Sequence, residues 1–584
     1  MTPKQFVKAY KKDGSIKAVS KRPGMTYHSA RMAYLEAVEL GLMQPLRVGR
    51  KTNDEVVKPV PEPRIEGQLR AKRTPTAELP KPGEVKRYLL TCAQNNTYLH
   101  EDLFHNLEVF AEYVGAEILI SRFAYQRSGL NRGGDKAYWA KDYDEQRMHL
   151  RSDQELVAGE DDETEKLYGS DRYVWPEEVY KYVADERLEI APGLVWCGEW
   201  QRNPTTVNPL SGFQVYTGQK SGIFPHVKLC LESVPTSKHE PAKFNYTTGT
   251  VTMRNYIQKG AGLKAEFHHC YGALLVEVDH EGDWFVRQIS ADSDGTFYDL
   301  DVKVSQGLVT TGHRLEALTL GDIHVDRRDH EVDWLQAEIH RELKPKFTFY
   351  HDVLDFGRRN HHERKDPFRM FELYVEGRED VRAEVEATMK YLNDQADEFS
   401  DTQHVVVDSN HDRALERWLR EADWKTDPIN MMFFMESAHA KLSSIQDGDH
   451  DFHMLNHWLN EWYQCEIAID SSPPPENIRF LDEDESFVIC DDPHGGIECG
   501  MHGHLGANGA RGGINSFAKM GRRANVGHSH VAGIKEGIWQ AGTSSLLDMK
   551  YNKGLSSWSH SHIGTYENGK RTMITMKNGK WRAA

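Results

Sequence analysis

Five polar clusters, most of them placed where an apolar strand gives way to a loop, constrain the fold of this sequence more than any other feature. The first is Asp322-Ile323-His324, after an apolar run that ends at Gly321. In an extended chain, residues two apart point to the same side, so Asp322 and His324 can bind one metal ion. The other clusters are His351-Asp352, Asn410-His411-Asp412, His502-Gly503-His504 and His528-Ser529-His530. Because open sheets bind ligands at strand ends, we expect the five clusters to meet at one site.

The order and spacing of these clusters resemble the motifs of the calcineurin-like metallophosphoesterases, and the match covers residues 312–545. His351 and Ser409 stand where the family carries glycine, which alters two tight turns. Within the superfamily the series is most similar to the SbcD-type DNA nucleases. Those enzymes often carry histidine at the position of Asp355, where the phosphatases carry aspartate. The resemblance implies an α/β fold, with a metallophosphoesterase β-sandwich flanked by helices.

The resemblance also implies two divalent metal ions. The first ion would be held by Asp322, His324 and His530, and the second by Asn410, His502 and His528. Asp352 would bridge the two ions, and His504 is the alternative to His502. Two such ions, roughly 3.5–4 Å apart, clamp the attacking and leaving oxygens of a phosphoester. Oxygen and imidazole ligands without thiolate favour manganese, with magnesium, iron or zinc as alternatives.

Two further residues are predicted to take part in catalysis. His411 follows the ligand Asn410, so it can face the substrate and stabilise the developing charge or protonate the leaving oxygen. Asp355 is expected to orient His351 or a metal ligand. The loop Arg358–His362 is basic and rich in histidine. It would hold backbone phosphates by charge and bidentate hydrogen bonds, or else be a solvated loop.

Charge is spread unevenly along the chain. Residues 1–90 carry 19 Lys and Arg against 9 Asp and Glu, although the whole chain has a net charge of −17. A basic arm suits nucleic acid, whereas an acidic body binds it poorly without a specific site. The 7 cysteines include no CxxC pair, which indicates reduced thiols in a cytoplasm. No apolar run approaches the roughly 20 residues that span a bilayer, so we expect no membrane partner.

Residues 1–48 are predicted to form a basic helical domain. Short helices are expected at Ser15–Arg22 and Tyr27–Leu40, the second with an apolar stripe of Met32, Leu35 and Val38. The pair resembles a helix-turn-helix that binds DNA. The alternative is a helical hairpin for oligomer contacts, and we expect a homo-oligomer. Residues 49–87 are dotted with proline and read as a charged linker.

Residues 88–311 are predicted to be an α/β accessory domain that opens with a strand, a helix at Asp102–Val114 and a second strand. Its His268-His269-Cys270 has no partner at ligand spacing, which disfavours a metal site. Residues 312–584 form the predicted catalytic domain. Within it, a long helix is expected at Asp380–Phe399, with a core stripe at helical spacing.

These observations favour a metal-dependent nuclease that hydrolyses DNA phosphodiesters. The whole layout also resembles the early-expressed, genome-degrading nucleases of large tailed phages, which implies host DNA as substrate and the infected bacterial cytoplasm as the setting. Two alternatives remain open. One is a phosphatase or cyclic-nucleotide phosphodiesterase acting on small phosphoesters. The other is a nonenzymatic DNA-binding or assembly protein.

Overall fold

The structure is a computed structural model that describes residues 2–13, 19, 21–23, 25, 27–43, 74–125, 150–151, 175–466, 475–491 and 495–583. Contacts within the chain divide it into two compact units, Met1–Arg73 and Thr74–Ala584. None of the helices in the described ranges is long and apolar enough to span a membrane.

The helices, in chain order, are α1 (Pro3–Asp13), α2 (Tyr27–Glu39), α3 (Glu101–Val114), α4 (Gly260–Phe267), α5 (His330–Leu343), α6 (Pro367–Glu376), α7 (Val381–Glu398), α8 (Ala414–Glu421), α9 (Met431–Asp447), α10 (Met454–Glu466) and α11 (Ile514–Phe517).

The strands are β1 (Lys86–Gln94), β2 (Ala116–Phe123), β3 (Leu150–Arg151), β4 (Trp175–Pro176), β5 (Arg187–Ala191), β6 (Leu194–Cys197), β7 (Ser221–Phe224), β8 (Leu231–Val234), β9 (Lys243–Thr247), β10 (Gly272–Val278), β11 (Trp284–Ser290), β12 (Phe297–Asp299), β13 (Val302–Ser305), β14 (Leu308–Thr310), β15 (Ala317–Thr319), β16 (Phe347–Tyr350), β17 (Gln403–Val406), β18 (Ile478–Phe480), β19 (Val488–Ile489), β20 (Ile497–Glu498), β21 (Arg523–Val526), β22 (Gly533–Lys535), β23 (Ile538–Gln540), β24 (Ser561–Thr565) and β25 (Arg571–Thr575).

The N-terminal unit contains α1 and α2, which pack on each other through a small core. The predicted second helix is confirmed as α2, but its predicted apolar stripe is wrong, because Met32 and Leu35 are about half exposed. The buried face is made of alanines instead: Ala30, Ala33 and Ala37. Alanine lets a neighbouring helix approach closely, which a stripe of larger residues would prevent. Most of the predicted first helix, and residues 49–73 of the predicted linker, lie outside the described residues.

Strands β11, β10, β1 and β2 form a four-stranded sheet in that order. Its β1 and β2 are parallel and are joined by α3, so the strand–helix–strand opening predicted from the sequence is confirmed. Helix α3 begins with His100 accepting a hydrogen bond from the Leu103 backbone and ends at Gly115 in the left-handed conformation. It buries Leu107 and Phe110 against the sheet, which fixes the crossover.

A ten-stranded sheet draws its strands from both sides of the boundary predicted at residues 311/312. Its order is β19-β20-β21-β23-β22-β8-β9-β7-β6-β5, and the two sequence regions join where β22 pairs with β8. Strands from residues 88–311 and from residues 312–583 therefore share one sheet, and both regions belong to one compact unit.

A six-stranded sheet has the order β18-β17-β16-β15-β24-β25, and β15 to β18 run parallel to one another. One of its faces packs on the ten-stranded sheet, with Ala317, Phe349 and Val405 against Ile489 and Ile497. Helices α5 and α7 contribute to the large core against its other face. The predicted helix at 380–399 is confirmed as α7. The result is a mixed α/β structure in which two sheets face each other.

Candidate metal centre

Three of the predicted ligands follow neighbouring parallel strands of the six-stranded sheet. Asp322 follows β15, Asp352 follows β16 and Asn410 follows β17. Carboxyl ends of parallel strands meet at one edge of a sheet. The loops are also tied together, because the backbone N–H of His324 donates to the carbonyl of Asp352 at 2.7 Å. The strand pattern therefore positions these side chains together.

The ten-stranded sheet supplies the remaining ligands from two of its own parallel strands. His502 follows β20, and His528 and His530 follow β21. The two sheets meet here, since the backbone N–H of His528 donates to Asp322 Oδ1 at 3.0 Å. Residues far apart in sequence are thus brought to one place by the facing edges of two sheets.

The first group contains Asp322, His324, Asp352 and His530, whose ligand atoms all lie within 4.8 Å of one another. Asp322 Oδ2 lies 3.1 Å from His530 Nε2, and the Nε2 atoms of His324 and His530 are also 3.1 Å apart. Asp322 and His324 are fully buried. The group therefore has the close, convergent and buried donors of a metal site.

The second group contains Asp352, His502 and His528, so Asp352 belongs to both groups. His502 Nε2 lies 3.3 Å from Asp352 Oδ2 and 3.2 Å from Asn410 Oδ1. His504 belongs to neither group, and its ring centroid is 5.4 Å from that of His502. Between the two histidines considered from the sequence, the geometry favours His502.

The chemistry of these residues fits divalent cations. Neither Asp322 nor Asp352 forms an ion pair with a lysine or arginine among the described residues, although both carboxylates are buried. Buried carboxylates require a compensating positive charge. Oxygen and imidazole donors without thiolate suit manganese, magnesium, iron or zinc.

The pKa values of residues at the site indicate a negative electrostatic field. Burial alone would raise the pKa of Asp322, but its contact with His530 outweighs this and lowers that pKa to about 2. Burial would lower the pKa of His502, yet the neighbouring Asp352 carboxylate raises it to about 8. Asp322 and Asp352 therefore stay ionised. The carboxylates at the site favour the protonated forms of His502 and His324, whose pKa values are both raised. The same negative field would attract a divalent cation in place of those protons.

The backbone is strained at four of the predicted ligands. His324, Asp352, His528 and His530 have φ values of 48°, 47°, 74° and 59°, in the left-handed region. Each such conformation costs about 1–3 kcal/mol in a non-glycine residue and persists only where the surroundings fix it. Strain concentrated at these positions is typical of a functional site.

Gly527 allows the two sheets to approach each other at the site. A Cβ atom at this position would lie 2.3 Å from Asp322 Oδ1 and 3.0 Å from His351 Cγ. His351 is fully buried, and its Nδ1 lies 3.4 Å from that of His502. The His351 side chain therefore fits here because Gly527 has no side chain.

His411 lies beside the first group and is held by Asp355. Its Nδ1 lies 2.8 Å from the backbone carbonyl of Asp355, and its ring is perpendicular to that of His324 at a centroid distance of 4.6 Å. Because a carbonyl only accepts, Nδ1 carries the proton and Nε2 is left for another partner. The Asp355 carboxylate contacts His324 Nδ1 at 3.3 Å and Arg327 Nε at 3.7 Å. Of the two roles considered for Asp355, the structure shows contact with a predicted ligand, not with His351.

A cavity of about 700 Å³ opens beside His411 and Asp355. Its wall also includes the basic residues Arg327, Lys550 and Lys553. The candidate centre therefore adjoins a space large enough for an extended substrate, with both basic residues and the carboxylates of Asp355, Glu363 and Glu372 in its lining.

The two arginines of the basic loop at residues 358–362 form ion pairs within the protein. Arg358 and Arg359 do not face a substrate, because both are buried and paired with carboxylates. Arg358 lies 3.3 Å from Asp326, and Arg359 lies 2.6 Å from Asp427. These two arginines are therefore engaged within the protein, whereas Asn360 and His362 of the same loop line the cavity beside His411, so phosphate binding by the loop stays a prediction.

His269, in the cluster His268-His269-Cys270, contacts neighbouring residues through both of its ring nitrogens. Its two ring nitrogens lie 2.8 Å from the Tyr256 hydroxyl and 3.0 Å from the Thr252 carbonyl. Both nitrogens are therefore engaged in hydrogen bonds.

Sequence reasoning missed two residues that shape the centre. The Trp558 ring packs on His530 at a centroid distance of 4.1 Å, and Thr543 Oγ1 donates to the Asp322 carbonyl at 2.8 Å. Thr543 lies shortly after the last histidine cluster in the sequence. No local signal marks Trp558, which reaches the site only through the sheet pairing.

Comparison with known proteins gives one informative relative. The chain is 37% identical over 513 residues to "Protein A1" of Escherichia phage T5, and the match covers 85% of this chain and 83% of that protein. No family model matches the chain, and no solved structure matches it. Identity at this level across most of both chains shows that the protein belongs to the Protein A1 family.

Proposed function

We propose that this member of the Protein A1 family is a metal-dependent DNA nuclease with a two-ion centre. The observation that carries the proposal is the sharing of Asp352 by two groups of buried ligands, one with Asp322, His324 and His530 and the other with His502 and His528. A carboxylate has two oxygens and can serve two ions at once. Paired ions of this kind catalyse phosphoester hydrolysis.

The architecture supports a metallophosphoesterase fold. Two facing sheets deliver the candidate ligands from the carboxyl ends of their strands, in the motif order of the calcineurin-like superfamily. Helices cover the outer face of the six-stranded sheet. We propose that this sandwich is the catalytic domain and that residues 88–311 extend it with strands β5 to β9.

The residues of the centre take distinct parts in the proposed reaction. Asp322, His324, Asp352 and His530 would hold one ion, and Asp352, Asn410, His502 and His528 the other. Such ions supply Lewis-acid stabilisation of the phosphoryl oxygens and activate water at neutral pH. Asp355 keeps His324 in place through Nδ1, which leaves Nε2 directed at Asp352 and His530.

His411 is proposed to act on the substrate directly. Its Nδ1 donates to the Asp355 carbonyl, so a second proton on Nε2 would face the cavity. From there it can stabilise charge on a non-bridging oxygen or protonate the leaving oxygen. Its backbone N–H lies 3.3 Å from Asp352 Oδ1, which ties its position to the shared ligand.

The choice of DNA as substrate rests on charge, layout and family. The cavity wall carries Arg327, Lys550 and Lys553, and the N-terminal unit is basic. The relative is a phage protein. We therefore propose host DNA as the substrate in the infected bacterial cytoplasm, with the N-terminal helices contributing DNA contacts or oligomer contacts.

The proposal is tested by incubating the full chain with Mn²⁺ and either double-stranded DNA or bis(p-nitrophenyl) phosphate, a small phosphodiester. Hydrolysis of both by the wild type and of neither by Asp352→Asn is the expected result. Turnover of the small ester alone would instead favour a phosphatase or cyclic-nucleotide phosphodiesterase. That alternative is supported by Asp355, which stands where phosphatases carry aspartate, and by the net charge of −17.

A further inference from the structure

Helix α6 exposes an unusual row of large apolar side chains. Phe368, Phe371, Tyr374 and Val375 have exposed fractions of 80%, 64%, 63% and 67%. Their spacing places them on one face of the helix. Isolated exposed apolar residues are common, but a contiguous patch on one element marks a binding surface.

The helix that carries this face is firmly anchored. Its first turn is capped by the Asp366 side chain, which accepts from the Phe368 backbone at 2.9 Å. It ends at Gly377 in the left-handed conformation, and Leu373 is fully buried on the opposite side. The next residue, Arg378, forms an ion pair with Asp326. The exposed rings are therefore presented by an ordered helix and are not the result of a frayed end.

Helix α6 is also part of the cavity beside the candidate centre. Arg369 and Glu372 line the same space as His411. They are adjacent in sequence to Phe368 and Phe371, so the exposed aromatic face begins where the cavity wall ends.

A second group of aromatic residues connects the candidate centre to the cavity. The Trp558 ring packs on His530, and Tyr551 lies edge-on to Trp558 at a centroid distance of 5.9 Å. Tyr551 lines the cavity together with its neighbours in sequence Lys550 and Lys553. Aromatic rings close to cations form a surface that single-stranded nucleic acids bind, because bases stack on the rings while phosphates contact the cations.

We infer that the aromatic face of α6, together with Tyr551, binds unpaired bases of the DNA strand that enters the cavity. The inference rests on the proposed function and deepens it, because it makes unpaired DNA the preferred substrate. In an intact duplex the base faces are stacked on one another, so the rings would have nothing to bind. Arg369 contributes little free charge, since it pairs with Glu363 and Glu372 at 3.0 and 3.2 Å.

The test compares two exposed surfaces of similar polarity. In one variant Phe368, Phe371 and Tyr374 are all changed to leucine, which keeps the apolar surface but removes stacking. The matched control changes Leu442 and Ile445, exposed on α9 outside the cavity lining, to alanine. Binding of a fluorescein-labelled single-stranded oligonucleotide and of the matching blunt duplex is measured by anisotropy in EDTA, where metal-dependent hydrolysis cannot occur.

The leucine variant is expected to bind the single strand about tenfold or more weakly than wild type, since stacking of each base is worth on the order of 1–3 kcal/mol. Its duplex binding, and all binding by the control, should be unchanged. Unchanged single-strand binding by the leucine variant would overturn the inference. So would a loss of self-association without a loss of DNA binding when alanines replace the three rings, because the face would then be an interface between copies.

Hydrolysis of bis(p-nitrophenyl) phosphate in Mn²⁺ separates this inference from the proposed function. The leucine variant should hydrolyse this small ester at the wild-type rate, because the rings lie outside the metal ligands. If the wild type hydrolyses neither DNA nor the small ester, the proposed function fails, while anisotropy still decides whether the rings bind single strands.

Discussion

The Nε2 atoms of His324 and His530 lie only 3.1 Å apart in a buried site. An imidazole nitrogen either carries a proton or offers a lone pair, so two such atoms at this distance share one proton or bind a common cation. Asp322 Oδ2 lies 3.1 Å from the same atom of His530. We propose that a divalent ion occupies this position.

Asp352→Asn should remove most of the stabilisation that Mn²⁺ gives to the protein, because Asp352 belongs to both ligand groups. A ligand present at a hundred times its Kd stabilises the folded state by about 2.7 kcal/mol. We therefore expect Mn²⁺ to raise the Tm of the wild type and to leave that of Asp352→Asn nearly unchanged. His504→Ala is the control and should behave as wild type; equal losses in His504→Ala and His502→Ala would contradict the assignment of His502.

Asp355→Asn tests a positioning residue. The substitution keeps the backbone carbonyl that holds His411 but weakens the contact of the carboxylate with His324 Nδ1. Residues that orient metal-bound histidines typically contribute 10–100-fold in affinity. Calorimetric titration should show Mn²⁺ affinity lowered by roughly this factor. An unchanged affinity would mean that Asp355 does not position His324.

Gly527→Ala tests the close approach of the two sheets. The added Cβ would lie 2.3 Å from Asp322 Oδ1, so the ligand must move or the fold must strain. We expect a loss of about 1–3 kcal/mol in the free energy of unfolding, as for other overpacked sites, together with weaker Mn²⁺ binding. Gly513→Ala is the matched control, since a Cβ there has no neighbour within 4 Å. Equal behaviour of the two variants would count against this packing.

Stability should fall in acid partly through His269, which lies away from the candidate centre. Burial, reinforced by Arg254, lowers the pKa of His269 to about 3, whereas an unfolded histidine titrates near 6.5. Protons therefore bind the unfolded chain preferentially. The stabilising contribution is complete above pH of about 6.5 and is lost as pH falls toward about 3.

His269→Gln should make the free energy of unfolding less sensitive to pH in that window, by up to about 1.4 kcal/mol per pH unit. Denaturant titrations at several pH values measure this slope. His239→Gln, at an exposed histidine, should leave the slope unchanged. A slope for His269→Gln identical to that of wild type would show that the buried ring is not neutral.

The sequence predicted the elements around the site because their signals are local. Apolar strands that end in Asp, Asn or His are visible in a few residues, and the structure brings Asp322, Asp352 and His530 together as expected. The long helix α7 was equally clear, since its buried positions repeat at helical spacing. Metal binding itself and the catalytic role of His411 stay predictions.

Other features depend on partners that local patterns do not reveal. The pairing of β22 with β8 joins residues about three hundred positions apart, and the sequence of neither strand identifies its partner. Arg358 and Arg359 look the same in sequence whether they meet a phosphate or the buried carboxylates that they contact. The sequence pattern did not indicate the alanine face of α2, because alanine contributes little to a hydrophobic periodicity.

The most direct test of the account is Mn²⁺-dependent degradation of linear and closed circular double-stranded DNA by the wild type and by His411→Ala. The wild type should degrade DNA, and cutting of closed circles would make it an endonuclease. His411→Ala should be slower by about 10²–10⁴-fold, the usual contribution of a general acid, with Mn²⁺ binding retained. The account would be contradicted if His411→Ala degraded DNA at the wild-type rate. It would equally fail if the wild type bound Mn²⁺ but left both DNA and small phosphodiesters intact.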